Sequence, residues 1–145
     1  VGSDHGGYTE QMQALSARLH LEDKVQFLGS RTDVPQLLQA ADLFVHPATC
    51  QEGFGITLIE AMASGVPCLA FPKGAIPEII GPEIDGFLTE EVSAAALTAG
   101  INRALELFTK APHHWHTLCK NARQKAELFS IERTVAQLEA LYQEQ

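Results

Sequence analysis

The sequence predicts an α/β fold: a doubly wound, Rossmann-like parallel sheet with helices on both faces and a helical tail at the C-terminus. Short apolar runs of four or five residues alternate with segments of helical spacing, as in repeated strand–helix units. The runs are continuously apolar, which strands buried on both faces require. The loops after Val1, Leu28, Val45 and Phe71 carry glycines and fall at one edge of such a sheet, the carboxyl edge where ligands sit near helix N-termini.

Each element has a local reason. Val1-Gly2-Ser3 reads as the end of a strand and a turn, and with no initiator Met the chain is expected to be a fragment. Thr9 is the predicted N-cap of a helix to about His20, with Met12, Leu15 and Leu19 at helical spacing. Val25 to Gly29 predicts a strand. Asp33 can cap a short helix with Pro35 in its first turn and Leu37, Leu38 and Ala41 inward. Leu43 to Pro47 is a second apolar run.

A helix begins near Ile56 or Thr57 and ends about Ser64, where Gly65 suits a left-handed position and Pro67 blocks continuation. Cys68 to Phe71 follows as a strand, then the loop PKGAIP, a helical turn at Glu78 to Ile80 and a last strand, Gly86 to Thr89. Helices are predicted from Ser93 to about Phe108, from Pro112 to about Phe129, and from Ile131 onward. No internal repeat, low-complexity segment or linker interrupts the pattern. Residues 1–145 are therefore read as one domain, with an α/β core over 1–111 and a helical tail over 112–145.

Composition narrows the function classes. With 145 residues and 46% apolar content the chain can bury an ordinary core. A net charge of -8 argues against nucleic acid as a partner, since phosphate backbones are held mainly by Lys and Arg. No run is long enough for a transmembrane segment, and no signal-peptide pattern opens the chain. Cys50, Cys68 and Cys119 are widely spaced and odd in number, which fits a reducing cytoplasm and gives no sulfur metal site.

The stretch EGFGITLIE, residues 52–60, concentrates the chemistry. Its helix start follows two glycines, and a helix start offers unpaired N–H groups and partial positive charge to an anion. An ordinary turning loop is the bland alternative. Glu60 lies about 6 Å along the axis at 1.5 Å per residue, among Leu58, Ile59, Ala61 and Met62. The helix dipole would favour it by about 0.3–1 kcal/mol, too little to select a glutamate there. Carboxylates on either side of an anion site suit a ligand with hydroxyls at both ends and phosphate between, such as a nucleoside diphosphate sugar. A glycosidase pair is the competing reading, but it has no use for a phosphate-binding helix end.

The segment HPATCQEGFGITLIEAMASGVPCLAFPKGAIPEII resembles the C-terminal domain of retaining GT-B glycosyltransferases of the group 1 or family 4 class, whose mark is two glutamates separated by seven residues. VGS, KVQFLGSRTDVPQLLQAADLFVHPA and DGFL agree, so the likeness covers about residues 1–110. The resemblance implies that Glu52 contacts the transferred sugar near its anomeric carbon, as the catalytic residue. It implies that the amides of Gly53, Phe54, Gly55 and Ile56 meet sugar and diphosphate, with Thr57 and Leu58 at the phosphates. Glu60 would hold the ribose, and the turn at Gly29, Ser30 and Arg31 the base.

Retention without a bound metal or other cofactor is the implied chemistry. A UDP-sugar donor comes first and a GDP-sugar second, with a carbohydrate or lipid-linked acceptor bound by an N-terminal domain absent from this chain. Family members carry an Arg and a Lys early in this domain, and the chain is expected to start after them. Two missing charge-assisted bonds of about 1.5–3 kcal/mol each predict that the chain alone transfers nothing. The implied location is cytoplasmic, with a peripheral membrane association open to the full-length protein. A nucleotide-sugar epimerase, or a non-catalytic module binding sugar nucleotides or a protein, are the alternatives.

Other residues have two readings each. His46, before Pro47, is a ligand contact or a satisfied buried histidine. His113, His114 and His116 around Trp115 suggest a metal at first sight but lack a carboxylate or Cys partner at supporting spacing. Glu78, Lys73 and Arg31 read as surface residues, each with a lesser claim on the cleft. Trp115, Leu118, Ala122, Leu128, Val135, Leu138 and Leu141 predict a tail packed on the sheet or crossing to another domain. A membrane-surface helix is the weaker alternative, given the mixed charge of KNARQKAE.

Overall fold

The computed structural model describes Gly2 and residues 6–143. The chain divides into two compact units, Val1–Val34 and Pro35–Gln145.

The first unit holds α1 (Tyr8–Arg18). Its N-cap is Gly7 at φ 75°, not Thr9, which lies inside the helix; no side chain caps it. The left-handed turn at Gly7 starts the helix before Thr9 is reached. Met12 and Leu19 are exposed and Leu15 partly so. The predicted strand at Val25–Gly29 is also corrected, for those residues form no strand. Val25 N–H donates to Leu21 O (2.9 Å) within a turn, and Gly2 N–H donates to Gly29 O (2.8 Å). A strand needs a ladder of such bonds. The predicted strand end at Val1-Gly2-Ser3 lies outside the described residues except for Gly2.

α2 (Val34–Gln39) spans the boundary between the units. The second unit then carries β1 (Phe44–His46), α3 (Ile56–Ala63), β2 (Cys68–Ala70), α4 (Ile76–Ile79), β3 (Gly86–Leu88), α5 (Ala94–Lys110), α6 (Pro112–Glu127) and α7 (Ile131–Gln143). The strands form one parallel sheet in the order β1-β2-β3, with Val45, Leu69 and Phe87 in register. The short helical turn starts at Ile76, two residues before the predicted Glu78, because Pro77 is well suited to a first turn.

Alternation on β2 explains the two covered faces. Cys68 points to α3, its Sγ 3.6 Å from Leu58 O. Leu69 points the other way, into a core of Phe87, Ala104, Leu107, Trp115 and Leu118 from β3, α5 and α6. Gly100 of α5 packs so closely there that a Cβ would stand 2.7 Å from Leu69 Cδ1. Trp115 stacks on Phe87 (6.3 Å) and meets Phe108 edge-on (5.4 Å). The Ser93 hydroxyl caps α5 by accepting from Ala96 N–H (3.0 Å). α7 has no buried residue; Ile131, Val135, Leu138 and Leu141 are exposed. No helix among the described residues is long and apolar enough to cross a membrane.

Candidate functional site

Both ends of α3 are set by glycine. Gly55 is the N-cap at φ 76°, buried against Ile79 and Leu58, where a Cβ would stand 2.8 Å from Ile79 Cδ1. Gly65, at φ 79°, closes the other end. Its N–H donates to Met62 O (2.9 Å) and that of Val66 to Ala61 O (3.0 Å), the paired bonds of a Schellman motif. One face of the helix, Leu58, Ala61 and Met62, is fully buried. The opposite face presents Ile56, Thr57 and Glu60 to solvent. Glu60 therefore sits exposed, one turn beyond the helix start.

Glu52 is tied to the same helix start. Its Oε1 accepts from Gly55 N–H (3.1 Å) and, more weakly, from Phe54 N–H (3.4 Å). Those amides hold its carboxyl below the usual carboxylate range, Gly55 contributing most, then Phe54, with His46 a lesser influence. Its backbone is clamped from the loop after β2: Ala75 N–H donates to Glu52 O (3.0 Å). Gly74, at φ 57°, lies so close that a Cβ would press into the Glu52 carbonyl and stand 2.7 Å from its nitrogen. The sequence signal for this contact was the glycine in PKGAIP, which reads only as a turn. His46, at the end of β1, places Nε2 3.6 Å from Glu52 Oε2. That nitrogen is buried and has no hydrogen-bond partner among the described residues. The Phe54 ring is half exposed and meets Phe129 edge-on at 6.2 Å.

The structure thus gathers Glu52, Gly53, Phe54, Gly55, Ile56, Thr57 and Glu60 at one helix start. Leu58 is the exception: its side chain is buried and its amide donates to Gly55 O (3.0 Å). The first-turn amides of Ile56 and Thr57 have no intrahelical acceptor. Gly29, Ser30 and Arg31 belong to the first unit. There Gly29 lines a cavity of about 310 Å³ with Gly2, Thr9, Gln13, Gln26, Phe27 and Leu28. Arg31 forms a two-pronged pair with Asp33, Nε to Oδ1 at 2.7 Å and Nη2 to Oδ2 at 2.6 Å.

Glu78 is exposed in the first turn of α4. His113, His114 and His116 are exposed on α6. Among the described residues no group of three or more His, Cys, Asp or Glu is placed to hold a metal ion. The Cys68 thiol is pushed well above its usual range by burial, so it stays a core residue.

A parallel α/β unit thus sets a helix start, the end of a helix that favours anions, between two carboxylates, Glu52 and Glu60, near the end of β1. The comparisons give the class: the chain matches the family described as "Glycosyl transferases group 1" over residues 1–125 and belongs to it. It is 36% identical over 129 residues to the N-acetyl-alpha-D-glucosaminyl L-malate synthase of Bacillus anthracis, covering 88% of this chain and 32% of that protein. Among solved structures it superimposes on HepE from Anabaena in complex with UDP, with TM-score 0.78 and 32% identity over 96% of this chain and 39% of that one. Sucrose-phosphate synthase from Thermosynechococcus elongatus gives TM-score 0.83 and 32% identity over 99% of this chain and 36% of that one. The fold is that of the C-terminal domain of GT-B glycosyltransferases, and the chain spans about a third of the length of the curated relatives it matches.

Proposed function

We propose that the whole protein is a retaining glycosyltransferase that moves a sugar from a UDP-sugar to a carbohydrate or lipid-linked acceptor without a metal. It would act in the cytoplasm, or at the membrane surface where the acceptor is a lipid. The carrying observation is the helix start of α3, where first-turn amides, Glu52 and an exposed Glu60 meet. HepE supports the donor class, having been solved with UDP and with UDP-glucose.

In this reading the amides of Gly53 to Thr57 hold the diphosphate and sugar, since backbone N–H groups at a helix start favour anions. Glu60 accepts hydrogen bonds from the ribose hydroxyls, and Glu52 from hydroxyls of the transferred sugar. The turn at Gly29, Ser30 and Arg31 is assigned to the base on the family likeness alone. The 145-residue chain by itself is expected to show no turnover.

Separate substitutions in the full-length protein test this. Glu60→Ala should weaken UDP binding about tenfold, the loss of charge-assisted hydrogen bonds. Glu52→Ala should lower kcat about a hundredfold, the scale of a group acting at the reacting centre. Calorimetric binding and a transfer assay read the two effects, and full activity in both variants would overturn the proposal.

A further inference from the structure

One fact about the helix start is in tension with an incoming diphosphate. Glu52 Oε1 already occupies the amides of Gly55 and Phe54. An anion seeking the same protons must displace it, because the two negative charges repel at that range. The displaced carboxylate then needs a new partner.

His46 is the group in reach. Its Nε2 is buried and has no hydrogen-bond partner among the described residues, a condition that buried polar atoms rarely keep without a purpose. It stands 3.6 Å from Glu52 Oε2, outside hydrogen-bond contact but close enough for a carboxylate rotation to close the gap. The ring is held in place by the strand: Phe44, two residues earlier on the same face, stacks on it at 6.2 Å and 25°. His46 also pairs in register with Ala70 of the central strand. A rigid donor therefore faces a carboxylate whose side chain is still 29% exposed.

We propose that His46 is a positioning residue: it receives the Glu52 carboxylate when a nucleoside diphosphate takes the Gly55 and Phe54 amides, turning Glu52 from a group held on its own loop into a group aimed at the sugar. The inference rests on the functional reading above. In the empty site Glu52 guards the amides, and in the filled site His46 holds Glu52.

UDP binding to the full-length protein, measured by calorimetry in a double-mutant cycle, tests it. His46→Ala should weaken UDP about tenfold, the effect of a lost charge-assisted bond. Glu52→Ala should tighten UDP, because the amides are then free. In the Glu52→Ala background, His46→Ala should change affinity less than about twofold, as no carboxylate remains to be received. His46→Gln, whose amide can donate from a similar reach, should stay within about threefold of wild type.

Equal weakening by His46→Ala in both backgrounds would mean that His46 touches UDP itself and would overturn the proposal. Unchanged affinity in both would overturn it as well. Should His46→Ala fail to fold, His46→Leu, which fills the strand position, takes its place in the cycle. A wild-type protein that does not bind UDP defeats the functional reading and this inference together, whereas binding without the coupling defeats the inference alone.

Discussion

Two turns of the second unit capture a carboxylate on backbone N–H groups, with opposite results. Before α3, Glu52 accepts from Gly55 and Phe54, and its pKa is lowered. Before β3, Asp85 accepts from Gly81 N–H at 2.7 Å, yet its pKa is raised. Burial is the main cause at Asp85, outweighing the Gly81 amide and the charge of Lys125. The residue is only 5% exposed. Solvent, more than the hydrogen bond, decides which carboxylate keeps its charge at low cost. A carboxylate that stays partly wet can exchange partners, which suits a ligand site. One sealed in a turn serves only the turn, and here the turn is pinned further by Asn121 Nδ2 donating to Ile84 O (2.9 Å).

Gly74→Val should break the Glu52 side most severely. A β-branched residue at φ 57° would be strained and would drive its Cβ into the Glu52 backbone. A loss of about 3 kcal/mol in urea denaturation, together with lost UDP binding in the full-length protein, is expected. Asp85→Ala tests the other turn: the Gly81 amide loses its acceptor, and about 2 kcal/mol of stability should go with it. UDP affinity of the folded protein should stay unchanged. If it fell, the two turns would not be separable into a ligand site and a structural one.

The same contrast explains what was legible in the sequence. The strands at Phe44–His46, Cys68–Ala70 and Gly86–Leu88 and the α3 boundaries follow from local signals: apolar runs, Gly55 before the helix and Gly65 after it. The two glutamates at the ends of EGFGITLIE could be singled out because their spacing is local too. The outward face of Glu60 was available in the helical spacing of Ile56 and Glu60, four residues apart, although its neighbours in sequence are apolar.

What escaped was non-local. The press of Gly74 on Glu52 joins two loops, and sequence shows each only as a turn. Glu52 seated on its own loop's amides was missed for a different reason: a loop whose amides are free and one whose amides hold its own carboxylate have the same sequence. In the first unit, Val25–Gly29 has strand composition but forms no ladder, and composition does not report the partner. Thr9 lost its cap role to Gly7 because a left-handed glycine can begin a helix without a side-chain cap.

The smallest predicted effect, and the one that distinguishes the two carboxylates most directly, is the pH dependence of stability. Glu52 has a folded pKa below its unfolded value of about 4.3, so its contribution is present above that pH and lost as pH falls through the folded pKa. Asp85 has a folded pKa above its unfolded value of about 3.9, so its contribution is complete below that pH and lost as pH rises through the folded pKa. Glu52→Gln should therefore match wild type only at the acid end, below the folded pKa of Glu52, and fall below it as pH rises through that pKa, the gap being complete above about 4.3. Asp85→Asn, which keeps an oxygen for the Gly81 amide, should match wild type in acid and rise above it once Asp85 ionises. Urea midpoints of the three proteins from acid to neutral pH should fan out in opposite directions. Two curves moving the same way would mean that the carboxylates are alike, and that the exposure of Glu52 does not make it the one free to leave its loop amides.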